Sequence, residues 1–260
     1  MITEVSGGYV KTEKEHGITT IEFYHEQSNS MPGKLLEALA QTIHSEGVNV
    51  NTKVIILKSG GDRVFCSGAS FDELEKITTP QEGTLYFSGV AKVINEMRKT
   101  PQFIIARIQG KCLGGGVGIA AAADYAIAVE GADIKLTELA IGIGPFVIGP
   151  AVQRRIGLSS FTQLTIDSNT WRSADWARRK GLYAELHPEV SGIEDSIERL
   201  SFTLSHSNPE AMKELKREFW AGTENWDDLL KERASISGRL ILGQHSREAI
   251  QKFKSKSKTL

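Results

Sequence analysis

QGKCLGGGVGIAAAADY, residues 109–125, places three consecutive glycines between an apolar run, FIIARI at residues 103–108, and an alanine-rich stretch. A second segment, RVFCSGASFDEL at residues 63–74, follows the apolar run VIILKS in the same way. Small residues let a ligand approach the backbone closely, and N–H groups that open a helix point outward at the positive end of its dipole. The two segments therefore predict two loops that each offer a backbone donor to an anion. The alternative is that their glycines only form turns, but finding two such loops after buried strands argues against it.

Outward from these loops, the first half of the chain alternates strand and helix patterns. ITTIEFYH at residues 18–25 alternates in the β manner, and VIILKSG at 54–60 and YAIAVEG at 125–131 are continuous apolar runs suited to buried strands. Helical patterns occupy residues 33–46 and 85–100, and the second one ends before Pro101. This alternation predicts an α/β protein.

Beyond about residue 150 the chain shows helical spacing and no strand-like run of comparable strength, so we expect a helical C-terminal third. Amphipathic patterns take over near Gly192, which predicts a core domain over residues 1–192 and a helical region over residues 193–260. The last nine residues carry a lysine at every second position: Lys252, Lys254, Lys256 and Lys258. We interpret them as a frayed, solvated end, with a contact to phosphate groups as the alternative.

The composition excludes several classes of protein. The 260 residues include 31 Lys plus Arg and 32 Asp plus Glu, and the net charge of −1 argues against nucleic acid as a partner. With 40% hydrophobic and 24% charged residues, the chain is typical of globular proteins. No stretch approaches the ~20 apolar residues of a membrane helix, and the N-terminus has no signal-like run. Only two cysteines occur, Cys66 and Cys112, so we expect no disulfide framework and a cytoplasmic location.

Three motifs together resemble the crotonase superfamily, the enoyl-CoA hydratases and isomerases. Residues 65–70, FCSGAS, match the family's F-[CS]-[AS]-G-A-D segment, and residues 109–116, QGKCLGGG, match its N-G-x-x-x-G-G-G segment. Residues 137–145, TELAIGIGP, are similar to its P-E-x-x-x-G-x-x-P stretch and retain the spacing from Glu to Gly and Pro. The chain departs from these patterns at three positions, which leaves the substrate open: Ser70 in place of Asp, Gln109 in place of Asn and Thr137 in place of Pro.

The resemblance implies a fold and a mechanism. The fold is the crotonase spiral of ββα units, followed by a helical region that packs against neighbouring subunits in relatives, so we expect a homotrimer or homohexamer. The backbone N–H groups of Ala69 and Gly115 correspond to the family's oxyanion hole, which binds the oxygen of an acyl-CoA thioester. Drawing electron density from that carbonyl acidifies the α-carbon, and each preorganised donor to the resulting enolate is worth about 3 kcal/mol.

The resemblance also implies residues along the coenzyme A moiety of the substrate: Arg63, Ser67, Phe71 and Leu113. Arg63 stands where many relatives place a basic residue toward the CoA phosphates, and a solvated loop charge is the alternative. Because the substrate itself carries coenzyme A, we expect no permanently bound cofactor. We also expect no metal, since the six histidines lack zinc-site spacing. Some crotonase-like decarboxylases use His, so His245 is kept as a candidate.

Glu138 matches one of the two glutamates that hydratases of the family use, whereas the position of the other is Gly118. Adding water to a double bond benefits from two carboxylates, but one carboxylate can remove an allylic proton and return it elsewhere. We therefore predict an enoyl-CoA isomerase with Glu138 as its single acid–base group. The alternatives are an enoyl-CoA hydratase with an atypical single-Glu site, a crotonase-like decarboxylase and a non-catalytic CoA-binding protein. Apolar neighbours would raise the pKa of Glu138 if they cluster around it: Ile141, Ile143, Phe146, Val147 and Ile148.

A dinucleotide-binding motif is a further alternative. Residues 116–121, GVGIAA, formally match G-x-G-x-x-A after a strand, and Glu130 follows. However, only about six residues separate the motif from the next strand, and the acidic residue arrives well short of the expected spacing of roughly 20 residues. We therefore rank an NAD-binding dehydrogenase below the acyl-CoA enzyme.

Overall fold

The computed structural model describes residues 1–257, with side chains described for residues 1–253. The strands are β1 (Ile2–Val5), β2 (Gly8–Glu15), β3 (Ile18–His25), β4 (Ser30–Met31), β5 (Val54–Ser59), β6 (Val64–Cys66), β7 (Gly68–Ala69), β8 (Phe103–Ile108), β9 (Lys111–Leu113), β10 (Tyr125–Val129), β11 (Ile134–Lys135) and β12 (Glu185–His187). The helices are α1 (Gly33–Gly47), α2 (Phe71–Leu74), α3 (Pro80–Lys99), α4 (Gly115–Ala122), α5 (Gly149–Ile166), α6 (Ala174–Arg179), α7 (Val190–Ser205), α8 (Pro209–Phe219), α9 (Trp226–Leu240) and α10 (Gln244–Ser257), and a 3₁₀ helix spans Leu139–Ile141. None of these helices, over the residues described, is both long and apolar enough to span a membrane.

Seven strands form the main sheet in the order β1-β2-β3-β5-β8-β10-β12. The first three pair antiparallel, and the strands from β3 to β12 run parallel. β5 is buried at four consecutive residues, Val54 to Leu57, as a strand covered on both faces requires, and α7 packs against it. The runs predicted as strands are β3, β5, β8 and β10, and the α/β fold class is confirmed.

A second, three-stranded parallel sheet brings the three motifs together. Its order is β11-β9-β6, with Cys66 opposite Cys112 and Leu113 opposite Lys135. Because the carboxyl ends of parallel strands meet at one edge of a sheet, the residues that follow these three strands lie side by side. The backbone N–H of Gly114 donates to the carbonyl of Lys135 at 2.9 Å, which ties the second motif to the third.

The glycine-rich helix α4 opens directly after β9 and packs closely on its surroundings. A Cβ at Gly116 would lie 2.7 Å from the Cβ of Cys66, and a Cβ at Gly118 would lie 2.5 Å from Cγ2 of Ile148. Both distances are too short for carbon atoms, so each position needs glycine for packing. The glycines of the formal dinucleotide motif therefore face the protein's own side chains, which removes the basis of the dehydrogenase alternative.

The C-terminal third is not wholly helical, contrary to the prediction. β12 extends the main sheet beside β10 as a parallel strand. It has three residues with Leu186 as its one aliphatic side chain, so no apolar run marks it in the sequence. The predicted boundary residue, Gly192, lies in the first turn of α7, and α7 packs against β3, β5, β8, β10 and β12. The division at residue 192 stays a prediction.

A buried ion pair anchors α8 to the main sheet. Lys216 Nζ contacts Asp124 Oδ2, and both side chains are more than nine-tenths buried. The same carboxylate accepts the backbone N–H of Ile104 at 2.8 Å and the indole N–H of Trp220 at 3.1 Å. These bonds compensate the buried charge, as a buried carboxylate requires.

The end of the chain is helical rather than frayed up to Ser257, contrary to the prediction. The ring of Phe253 packs against that of Phe71 with 5.8 Å between centroids, which holds α10 near the first motif. The side chains of Lys254 and Lys256, and all of Lys258, lie outside the described residues. The alternative contact of these lysines with phosphate therefore stays a prediction.

Candidate active site

One cavity lies at the carboxyl edge of the small parallel sheet. It holds about 710 Å³ of space that protein atoms do not fill, its open mouth included. The three motif segments supply one part of its wall: Ser67, Gly68, Ala69, Phe71, Gly114, Gly115, Thr137, Glu138, Ile141, Ile143, Gly144 and Pro145. Mostly apolar residues outside these segments supply the rest: Met31, Leu36, Tyr86, Phe87, Val90, Phe146, Val147, Ile148 and Ser237. The cavity thus joins a backbone-rich wall to an apolar chamber.

The first two motif loops touch at this cavity. Gly68 has a φ of +86°, and a Cβ there would lie 3.1 Å from the carbonyl oxygen of Leu113 and 3.6 Å from the backbone nitrogen of Gly115. Gly115 is the first residue of α4, so its N–H has no acceptor within the helix. Ala69, the next residue after Gly68, lines the same cavity. The two residues predicted as donors are therefore neighbours, and their role toward a thioester stays a prediction.

Glu138 places its carboxylate beside the second loop. A Cβ at Gly114 would lie 3.0 Å from Oε1 of Glu138, and Oε2 is buried with no hydrogen-bond partner among the described residues. Burial raises the pKa of Glu138 to about 7, against hydrogen bonds from the backbone N–H groups of Glu138 and Thr137, which lower it. A carboxyl group with this pKa can both take and return a proton near neutral pH.

The five residues predicted to desolvate Glu138 all line its cavity: Ile141, Ile143, Phe146, Val147 and Ile148. They belong to the 3₁₀ helix and to the segment that leads into α5, directly after Glu138. Their proximity in sequence is what made the desolvation predictable. Residues that follow Glu138 in the chain therefore contribute to the apolar surroundings of its carboxyl group.

Gly118 stands at the position of the second glutamate that hydratases of the family use. A side chain at this position would meet Ile148 before it could enter the cavity. A Cβ there would lie 2.6 Å from the Cβ of Ile148, which itself lines the cavity. Ile148 therefore stands between position 118 and the cavity. The chain differs from a two-glutamate site by this packing as well as by the missing side chain.

The other predicted site residues divide into two groups. Ser67 and Phe71 line the cavity, whereas Arg63 is exposed before β6 and Leu113 lies on β9, outside the cavity lining. The CoA contacts of all four stay a prediction. His245 lines a separate cavity between α10 and the 3₁₀ helix and is not among the residues that line the Glu138 cavity. No cluster of three or more potential metal ligands occurs within the part of the chain that the structure describes.

Two polar residues at the cavity have no signal in the sequence: Tyr86 and Ser237. The first lies on α3 and the second on α9, and neither helix carries a motif. Helical periodicity would place Tyr86 on the same face of α3 as Val90. The periodicity does not show which loop that face contacts, because the contact depends on how α3 packs on the rest of the fold.

The sequence and the fold have known counterparts. A family model described as enoyl-CoA hydratase/isomerase matches residues 13–259. A Bacillus subtilis (strain 168) protein named "Probable enoyl-CoA hydratase" is 24% identical over 243 residues, 93% of each chain. An ethylmalonyl-CoA decarboxylase of Xenopus tropicalis is 28% identical over 146 residues, 55% of this chain, and the chain spans about half (48%) of that relative. The crystal structure of enoyl-CoA hydratase from Bacillus halodurans has a TM-score of 0.86 at 19% identity, over 94% of this chain and 99% of that one, and shows a common fold.

Proposed function

Since this chain belongs to the enoyl-CoA hydratase/isomerase family, the crotonase superfamily, we propose that it is an acyl-CoA enzyme that moves the double bond of an enoyl-CoA thioester. One observation carries the choice of isomerisation: among the described residues, Glu138 is the single carboxylate that lines the apolar cavity. Ile148 occupies the approach from Gly118, where a second carboxylate would stand. Proton transfer within one substrate needs one such group, whereas hydration benefits from two.

The proposed reaction uses the cavity as follows. The Glu138 carboxylate removes a proton from C2 of a 3-enoyl thioester, and the electron pair of that C–H bond spreads into a dienolate. Its negative charge collects on the thioester oxygen, where the N–H groups of Ala69 and Gly115 stabilise it. The protonated Glu138 then delivers the proton to C4, which gives the 2-enoyl thioester and regenerates the carboxylate. No water or oxidant is consumed.

The environment of Glu138 supports this role. A carboxyl group with a pKa of about 7 is a stronger base than an ordinary glutamate and returns the proton readily at neutral pH. The apolar walls also keep water away from the dienolate, which favours return of the proton to the substrate over its loss to solvent.

We propose further that coenzyme A lies along the first motif loop, across Ser67 and Phe71, with Arg63 and Leu113 farther out. Phe71 supports this placement because it lines the cavity and contacts Phe253 of α10. An exposed Arg63 is available to a phosphate at the mouth of the loop. Arg63→Ala should raise KM for CoA thioesters several-fold and leave kcat unchanged.

A homotrimer or homohexamer and a cytoplasmic location also remain our proposals. Exposed apolar side chains on α5 support assembly: Leu158 is 63% exposed and Ile166 is 70% exposed. Sedimentation velocity of the purified protein should give three or six times the mass of one chain, and a monomer would contradict the proposal.

Decarboxylation is a second candidate, favoured by the similarity to a protein named as ethylmalonyl-CoA decarboxylase. Breaking the bond from C2 to the carboxylate of a malonyl-type thioester would release CO₂ and leave a thioester enolate, whose oxygen the same pair of N–H donors would stabilise. An apolar chamber favours the loss of a charged carboxylate as neutral CO₂. A hydratase is a third candidate, supported by the Bacillus subtilis relative.

One experiment separates these reactions. Purified protein is incubated in deuterated water with 2-enoyl, 3-enoyl and malonyl-type CoA thioesters, and the products are identified by mass spectrometry after chromatographic separation. We expect conversion between 3-enoyl and 2-enoyl thioesters without addition of water. Glu138→Gln should lower turnover by about 10²- to 10⁴-fold, whereas Glu130→Gln, in an exposed turn, should have no effect. Hydration or CO₂ loss as the main reaction, or full turnover in Glu138→Gln, would contradict the proposal.

A further inference from the structure

The hydroxyl of Tyr86 bridges the two strands that hold one of the proposed donors. It accepts a hydrogen bond from the backbone N–H of Ser70 at 2.8 Å and donates one to the carbonyl of Met31 at 3.0 Å. Ser70 follows Ala69 in the chain, and Met31 is the register partner of Ala69 in the parallel pair of β4 and β7. Tyr86 therefore contacts the backbone of the residue that follows Ala69 and of the residue that pairs with Ala69 on β4.

The Tyr86 hydroxyl cannot donate a hydrogen bond to the substrate, because its O–H is already engaged. A tyrosine has one O–H donor, and that donor is used on Met31. Burial also raises the pKa of Tyr86, so the side chain stays neutral across the working range of pH. Although Tyr86 lines the cavity, it acts through the backbone that it holds.

Apart from the tyrosine, the backbone around Ala69 is held by the β4–β7 pair and by two hydrogen bonds, from the Ser67 N–H to the Ser28 carbonyl at 3.2 Å and from the Gly68 N–H to Cys66 Sγ at 3.4 Å. β4 and β7 pair over only two residues each, and Gly68, with a φ of +86°, has no side chain to pack. The thioester oxygen must meet the Ala69 N–H closely, and a misplacement of about 1 Å at such a contact can lower a rate about 10²-fold. A two-residue strand pair alone is a weak way to hold that position.

The helix that carries Tyr86 is itself held in place by backbone contact. Three residues before Tyr86, α3 crosses α9, and a Cβ at Gly83 would lie 2.6 Å from the Cα of Gly238. A capping box formed by Thr79 and Glu82 fixes the start of the same helix. The Tyr86 hydroxyl is therefore presented to the first motif loop from a fixed support.

Building on the proposed function, we propose that Tyr86 is a positioning residue: its hydroxyl fixes the peptide between Ala69 and Ser70 so that the Ala69 N–H stays directed at the thioester oxygen. The donor strength of the oxyanion hole thus depends on a side chain of α3. Through Gly83 and Gly238, it depends also on the packing of α9.

Tyr86→Phe tests this role because it keeps the ring and removes both hydrogen bonds. We expect kcat to fall about 10- to 100-fold and KM to change less than about 3-fold, the pattern of an interaction that acts in the transition state. Tyr125→Phe is the matched control, since it removes a tyrosine hydrogen bond to Glu185 at 2.9 Å outside the cavity. Unchanged kcat in Tyr86→Phe, or an equal loss in Tyr125→Phe, would overturn the proposal.

The infrared carbonyl band of a bound, unreactive acyl-CoA labelled with ¹³C at the thioester carbon reports the oxyanion hole directly. Hydrogen bonds to the oxygen shift this band to lower frequency. We expect a clear shift in the wild-type protein and in Tyr125→Phe, and less than half of it in Tyr86→Phe. A full shift in Tyr86→Phe would overturn the role of Tyr86, whereas no shift in the wild type would overturn the proposed function itself.

A second variant covers the case in which Tyr86→Phe does not fold. Incorporation of 3,5-difluorotyrosine at position 86 retains the hydroxyl but makes it a weaker acceptor for the Ser70 N–H. We expect a smaller band shift and a lower kcat than in the wild-type protein. An unaltered shift and an unaltered kcat would overturn the proposal.

Discussion

Among single residues, Glu138 sets the chemistry, because its surroundings alter an ordinary carboxyl group. Its Oε2 is buried and has no hydrogen-bond partner in the described part of the chain, and burial raises the pKa of Glu138 to about 7. The ionised form that acts as a base is therefore the form that destabilises the fold. An ionisable group whose charged form is destabilised in this way is typical of active sites.

Glu138→Gln should change the pH dependence of stability. The pKa of Glu138 is higher in the folded state than its ordinary value of 4.5, so its stabilising contribution is fully present below about pH 4.5 and is lost as pH rises through about 7. Removing the charge should therefore raise the free energy of unfolding by about 1–3 kcal/mol at pH 8, with little effect at pH 5. Urea unfolding at both pH values measures this. An equal change at both, or one shared by Glu130→Gln, would count against a raised pKa.

The sequence predicts those site residues that belong to short local motifs. Ala69, Gly115 and Glu138 each belong to a short pattern, and the structure places all three at one cavity. Tyr86 reaches the same cavity by long-range packing, and no local pattern marks such a contact. The effect of Ile148 on position 118 is likewise invisible until the side chains are packed.

Among the elements, the crossing of α3 and α9 links the C-terminal helices to the site. Gly83 and Gly238 let the two backbones touch, and Tyr86 lies one turn farther along α3. The helical patterns are evident in the sequence. Their crossing is not, because it depends on two glycines that are 155 residues apart and that ordinary helix propensity disfavours.

Gly238→Ala should force this crossing apart. The added Cβ would lie 2.4 Å from the backbone nitrogen of Thr84, so we expect a loss of about 1–3 kcal/mol in the free energy of unfolding, with reduced activity. Ser235→Ala, an exposed position on the same helix, is the control and should change stability by less than about 0.5 kcal/mol. Equal stabilities for both variants would show that the crossing tolerates a side chain.

The small parallel sheet shows why the site was only partly predictable at this scale. Its strands have two or three residues each, too short for a periodic signal, yet they bring the three motifs to one edge. β12, with three residues, gives no periodic signal for the same reason. The four longer strands β3, β5, β8 and β10 were predictable because burial on one or both faces leaves a repeating or continuous apolar pattern.

Across the whole molecule, α7 and α8 join the C-terminal region to the main sheet. α7 covers five of its strands, and Lys216 of α8 pairs with Asp124 in the interior. Such a pair adds little net stability while intact, but breaking it leaves a buried charge alone. We therefore expect the described C-terminal helices and the sheet to unfold together.

Lys216→Met should remove one partner of this pair and leave Asp124 charged in the interior. We expect the free energy of unfolding to fall by about 3–5 kcal/mol, still in a single transition. Lys213→Met, on the exposed side of α8, should have an effect below about 0.5 kcal/mol. Urea unfolding followed by tryptophan fluorescence and by circular dichroism measures both variants. Two separate transitions would show that the C-terminal helices unfold independently of the sheet.

The pH profile of kcat/KM for conversion of a 3-enoyl-CoA to its 2-enoyl isomer is the most direct measurement of the proposed single-carboxylate mechanism. The rate should rise tenfold per pH unit in acid and level off near pH 7, where Glu138 ionises, with one ionisation on this limb. The residual rate of Glu138→Gln should lack this ionisation. A profile that is flat between pH 5 and 8, or one that Glu138→Gln retains, would contradict the role of Glu138 as the acid–base group.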